Sequence, residues 1–95
     1  PKVAAYMAAK EAVLAFTKSL AAEEVKNGIT VNAVGPGIVD TGWMSEEEKK
    51  NLIKLCPLGR FAEPEETARV IVFLASPESE YITGANISVG GGWGL

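Results

Sequence analysis

Two short apolar runs, residues 29–34 and 86–89, are separated by a long stretch with helical patterning, and this spacing constrains the fold more than any other feature. A strand, a helical crossover and a second strand place the two strands parallel and adjacent. A parallel sheet needs both faces covered. Two strands with three helices do not meet that need. The order helix-strand-helix-helix-strand is therefore expected to be the last third of a larger doubly wound α/β domain. A chain of 95 residues has room for one small domain with a thin core. Residues 1–95 are read as less than one domain, with an upstream half expected before Pro1. The start Pro1-Lys2-Val3, without an initiator Met, fits that expectation.

Local patterns assign the elements. Residues 1–27 read as one helix, with Ala5, Ala9, Ala12, Val13, Phe16 and Leu20 as its apolar stripe. Asn27-Gly28 is its stop signal. The strand at 29–34 is nearly all apolar, as a buried parallel strand should be. Gly35-Pro36-Gly37 is expected to end it abruptly. Ser45 and Glu48 have the capping-box spacing and open a short polar helix that Pro57 stops. Glu63-Pro64 opens a third helix, with Pro64 at its first position and Thr67, Val70, Ile71 and Leu74 as its buried stripe. Ser76-Pro77 ends it, residues 81–84 form a turn, and residues 86–89 form the last strand before Gly90-Gly91-Gly92.

Composition removes several function classes. Nine basic and twelve acidic residues give a net charge of -3, which argues against a nucleic-acid surface. No histidine is present, so histidine bases, triads and zinc sites are excluded. The one cysteine, Cys56, cannot form an internal disulfide or a thiolate metal site. No apolar run approaches the roughly 20 residues that span a bilayer. No metal and no membrane partner are expected. A reduced, cytoplasmic compartment is.

Tyr6 and Lys10 are one turn apart on one face of the first helix. A phenol ionises near pH 10 in water, and bringing that to about 7 takes roughly 4 kcal/mol. One cation about 4 Å away, at an effective dielectric of about 20, supplies about that much. The pair is thus a candidate acid/base device. On many helices the same spacing holds only a half-buried Tyr and a solvated Lys. The second candidate is the segment spanning residues 32–41, which lies at the carboxyl end of a parallel strand, where open α/β sheets bind ligands. Gly37 to Val39 can offer backbone amides there and Thr41 a hydroxyl. A plain strand-to-helix turn fits the same residues. Glu46, Glu47 and Glu48 suit a helix N-terminus. Gly90-Gly91-Gly92 opens no helix and is a poor phosphate cradle. Arg60 is read as a loop anchor ahead of an anion site. Trp43 and Trp93 are candidates for a pocket wall or an interface.

Together these segments resemble the short-chain dehydrogenase/reductase family along the whole chain. Tyr6-Met-Ala-Ala-Lys10 carries the match, with residues 28–37 and Thr41, Pro57-Leu-Gly-Arg60 with Pro64-Glu-Glu66, and Phe73-Leu-Ala-Ser76 with Ile82-Thr-Gly84. The resemblance implies the C-terminal part of a Rossmann-like sheet and an oxidoreductase using NADP or NAD. Tyr6 would exchange a proton with the substrate oxygen. Lys10 would hold the nicotinamide ribose hydroxyls and stabilise the phenolate. Pro36, Gly37, Val39 and Thr41 would frame the carboxamide. Residues from about 43 to 56 would lid a small carbonyl or alcohol substrate, with 3-oxoacyl thioesters foremost. The third helix and last strand would join a homotetramer or homodimer. The phosphate loop, the NAD/NADP selector and the catalytic Ser and Asn are expected upstream of Tyr6, and Asn32 is read as structural. The family often has Asp where Gly90 stands. The rival expectation is a non-catalytic reductase-like binding or oligomerisation module, or an inactive fragment.

Overall fold

The structure is a computed structural model and describes residues 3–93. The first helix, α1 (Ala4–Glu24), is rich in alanine, the best helix former. It tightens into a 3-10 turn at Val25–Asn27 and stops at Gly28, whose φ of 75° is left-handed. Pro1 and Lys2, which the sequence reading placed in this helix, lie outside the described residues. The buried face of α1 is not the predicted stripe. Thr17 and Ala21 are buried and Leu14 and Leu20 half-buried, whereas Val13 and Phe16 are exposed, Phe16 at 64%. An alanine-rich helix is apolar around most of its girth, so spacing alone cannot select a face. The selection comes from the turn carrying Thr83 and Gly84, on which Ala21 rests.

The two strands pair in parallel, as expected. β1 (Ala33–Pro36) aligns with β2 (Asn86–Val89) in the register Ala33–Asn86 through Pro36–Val89. The first strand is displaced from the predicted 29–34. Below Ala33 one backbone bond remains, from the Gly84 N–H to the Val31 carbonyl at 2.7 Å, and side chains make the other links. The Asn32 amide donates to the Ile82 carbonyl at 3.1 Å and its oxygen accepts from the Ala85 N–H at 3.0 Å. The Thr83 hydroxyl accepts from the Val31 N–H at 3.0 Å. At the other end the strand runs through Gly35 and Pro36 instead of stopping there. Proline is tolerated at that last position because it has no N–H to leave unpaired.

The crossover holds two helices. α2 (Glu46–Leu52) begins with the predicted capping box: the Ser45 hydroxyl accepts from the Glu48 N–H and the Glu48 carboxylate accepts from the Ser45 N–H. A 3-10 turn at Ile53–Leu55 follows, and Cys56 is extended, as a residue before proline prefers. α3 (Pro64–Leu74) starts with Pro64 in its first turn. It packs on β1 with Thr67, Val70 and Leu74 half-buried. Ile71, predicted to be buried with them, is 53% exposed at the rim of this contact.

The interior is thin. Ala21 and Met44 are the buried apolar residues among those described. The surface of 7090 Å² exceeds the roughly 5,200 Å² of a compact protein of this 10.0 kDa mass. The radius of gyration, 15.6 Å, likewise exceeds the roughly 12 Å of a compact fold. No helix among the described residues is long and apolar enough to cross a membrane.

Candidate active site

Tyr6 and Lys10 stand on the first half of α1, and the Lys10 ammonium lies 5.3 Å from the centre of the Tyr6 ring. At that range a cation is attracted to the ring face. Any negative charge developing on the phenol would be stabilised by the same ammonium. Tyr6 is 60% exposed, so its hydroxyl is open to ligand and water.

The pair opens on a cleft of about 430 Å³ between α1 and the carboxyl end of β1. Pro36 and Gly37 line its far side, and Leu14, Asn86 and Trp93 are among the other lining residues. Four of the sequence-selected site residues, Tyr6, Lys10, Pro36 and Gly37, thus meet around one space. Gly37 is there for a steric reason. A side-chain carbon built on it would lie 2.8 Å from the Gly90 Cα and 2.9 Å from the Gly90 oxygen. The Gly37 N–H donates to the Val89 carbonyl at 3.2 Å, which fixes the turn against the end of β2.

Val39 and Thr41 are placed elsewhere and do not line this cleft. Val39 forms an isolated parallel bridge with Ala62, with the Ala62 N–H donating to Ile38 and the Asp40 N–H donating to Ala62. Thr41 is exposed, beside Asp40, whose carboxylate accepts from the Gly42 N–H and lies 3.8 Å from the Lys49 ammonium.

Arg60 is a loop anchor. Its guanidinium grips the Glu66 carboxylate through two hydrogen bonds, of 2.7 and 3.0 Å, and donates to the Phe61 carbonyl. Those bonds, helped by the Glu63 N–H, lower the Glu66 carboxyl to about 2. The same bonds raise the Arg60 guanidinium above its usual value. Cys56 is half-buried, with its thiol directed at the Leu52 carbonyl.

In the sequence Trp93 fits either of two roles, and Leu14 and Asn86 carry no functional motif. Leu14 was open to detection, since it stands one helical turn beyond Lys10. Trp93 had no local signal, because its position depends on how the final turn packs.

Residues 1–94 match a family model described as enoyl-(acyl carrier protein) reductase. An uncharacterized oxidoreductase of Bacillus subtilis is 48% identical over 93 residues, which cover 98% of this chain and 37% of that protein. A 3-oxoacyl-[acyl-carrier-protein] reductase of Vibrio harveyi is 43% identical over 90 residues, covering 92% of this chain and 37% of that one. A crystal structure of a blue fluorescent protein from a metagenomic library, in complex with NADPH, superposes with a TM-score of 0.84 at 35% identity. That match covers 95% of this chain and 37% of its partner. The chain therefore spans a little over a third of the length of these relatives.

Proposed function

The chain belongs to the short-chain dehydrogenase/reductase family, and on that premise we propose that it carries the proton-transfer side of an NAD(P)-dependent oxidoreductase. The reaction is reduction of a carbonyl or oxidation of a secondary alcohol. One observation carries this reading: Tyr6 and Lys10 share a single cleft with Pro36 and Gly37.

The residues fit a nicotinamide riboside. The cleft volume of about 430 Å³ lies in the usual range for small-molecule sites. Lys10 offers three N–H donors for ribose hydroxyls. The Pro36–Gly37 turn, which lines the cleft, would present backbone groups to the nicotinamide. A bound reduced nicotinamide supplies the hydride. Tyr6 donates its hydroxyl proton to the carbonyl oxygen as the alcohol forms. Lys10 stabilises the resulting phenolate, and the open face of Tyr6 lets solvent return the proton. Oxidation runs the same residues in reverse.

A 3-oxoacyl thioester is the favoured substrate class, supported by the named activity of the Vibrio harveyi relative. NADPH is favoured by the neighbour that binds it, and NADH is the alternative. A homodimer or homotetramer belongs to the same reading, supported by exposed apolar residues such as Phe16 and Val72. So does a cytoplasmic location, supported by the unpaired Cys56. The test is NADPH oxidation by the full-length protein with acetoacetyl thioester. Tyr6→Phe should lose most of the turnover. Full turnover by that variant overturns the mechanism.

A further inference from the structure

Trp93 is the one described residue that lines both the Tyr6 cleft and a second cavity, of about 130 Å³, beside it. The second cavity is walled largely by apolar groups, among them Ile38, Cys56, Leu58, Ala62 and Val89. Its charged members, Arg60 and Glu66, are bonded to each other. The volume is close to the roughly 150 Å³ that takes a benzene ring in an apolar protein cavity.

The backbone at Trp93 is held by the turn it ends, and its side chain is half covered, at 47% exposed. The Trp93 backbone N–H donates to the Gly90 carbonyl at 3.0 Å. Gly91 and Gly92 take φ of 60° and 91°, so the chain reverses immediately after β2. A side-chain carbon on Gly91 would meet the Leu58 Cβ at 3.3 Å, and one on Gly92 the Pro57 Cβ at 3.2 Å. The turn is thus seated tightly on Pro57 and Leu58, of which Leu58 lines the second cavity.

We propose that Trp93 is a specificity-determining residue, its indole forming the partition between the Tyr6 cleft and the apolar cavity. It limits the apolar tail that a carbonyl substrate can carry beyond the reacting carbon. Shortening residue 93 joins the two spaces and admits a tail of about one ring. This rests on the reading of the cleft as a carbonyl-reducing site.

The test compares acetoacetyl thioester with its phenyl-tailed 3-oxoacyl analogue in full-length wild type, Trp93→Phe and Trp93→Ala. The kcat/KM ratio of phenyl-tailed to acetoacetyl substrate should rise at least about tenfold in Trp93→Ala, mainly through KM, with Trp93→Phe between. A general loss of stability lowers both substrates alike and leaves the ratio in place. A ratio within about twofold of wild type in both variants overturns the proposal, given wild-type turnover of acetoacetyl thioester. If wild type reduces neither substrate, the reductase reading is what fails. The partition is then read by calorimetry with toluene, which Trp93→Ala should bind at least about tenfold more tightly than wild type. Equal affinity overturns it. Trp93→Leu serves the same measurements, with the same expected direction, if the alanine variant does not fold.

Discussion

Gly37 meets the Gly90 backbone so closely that no side chain fits on Gly37, in the turn after β1, against the end of β2. Neither glycine is needed for a left-handed φ at this contact. The constraint is space alone. Gly37→Ala should therefore force the two turns apart and cost about 1–3 kcal/mol, as overpacking does. Urea denaturation of the full-length protein should show a lower midpoint, and KM for the nicotinamide should rise because the turn is part of the cleft. Wild-type values for both would show that the contact yields freely.

Tyr6 and Lys10 should respond differently to removal. Tyr6→Phe deletes the proton donor and leaves the ring under the Lys10 ammonium, so kcat should fall by about 10²–10⁴ with the fold intact. Lys10→Met should lower kcat and also raise KM for the nicotinamide, since it removes both the cation and the ribose hydrogen bonds. Steady-state kinetics with the cofactor varied separates the two. Identical kcat and KM changes in both variants would dissolve the division of roles.

Parts of this arrangement were legible in the sequence because they depend on neighbours along the chain. Ser45 with Glu48, Pro64 at a first turn and Gly28 after a helix each complete a local hydrogen-bond or backbone requirement. Tyr6 and Lys10 share a face by helical spacing alone. The failures are long-range. The buried face of α1 depends on the Thr83-Gly84 turn, far away in sequence, and alanine gives no hint of it. The start of β1 depends on Asn32 reaching across to Ile82 and Ala85, so the lower part of an apolar run that read as ladder is held largely by side chains. The bridge between Val39 and Ala62 was not foreseen either, because it is an encounter between two loops that no period encodes.

The Arg60–Glu66 pair sets an acid limit. Glu66 has its carboxyl at about 2 in the fold against an ordinary value of 4.5, so the unfolded chain binds the proton more readily. The stabilisation is therefore complete above about pH 4.5 and is lost as pH falls from there towards 2. Arg60 stays charged throughout and adds no titration in that window. Glu66→Gln should be less stable at neutral pH and should lose less stability between those two pH values. Denaturation midpoints measured across the window check this. Parallel wild-type and Glu66→Gln curves would remove the pair from the acid response.

Asn32 holds the lower end of the parallel pair with one donated and one accepted hydrogen bond, which sets the register that brings Gly90 to Gly37. Asn32→Ala leaves the Ile82 carbonyl and the Ala85 N–H without these partners and should cost about 1–3 kcal/mol. Asn32→Asp keeps an acceptor for the Ala85 N–H and loses the donor to Ile82, so it should be less damaging at Ala85 than at Ile82. Amide hydrogen exchange distinguishes the cases. The Ala85 N–H should exchange faster in Asn32→Ala and remain protected in Asn32→Asp, while the Gly37 N–H, bonded to the Val89 carbonyl, should change less in both. Unchanged protection of Ala85 in the alanine variant would mean that the ladder begins without the side-chain bracket. The displacement of β1 from its apolar run would then need another cause.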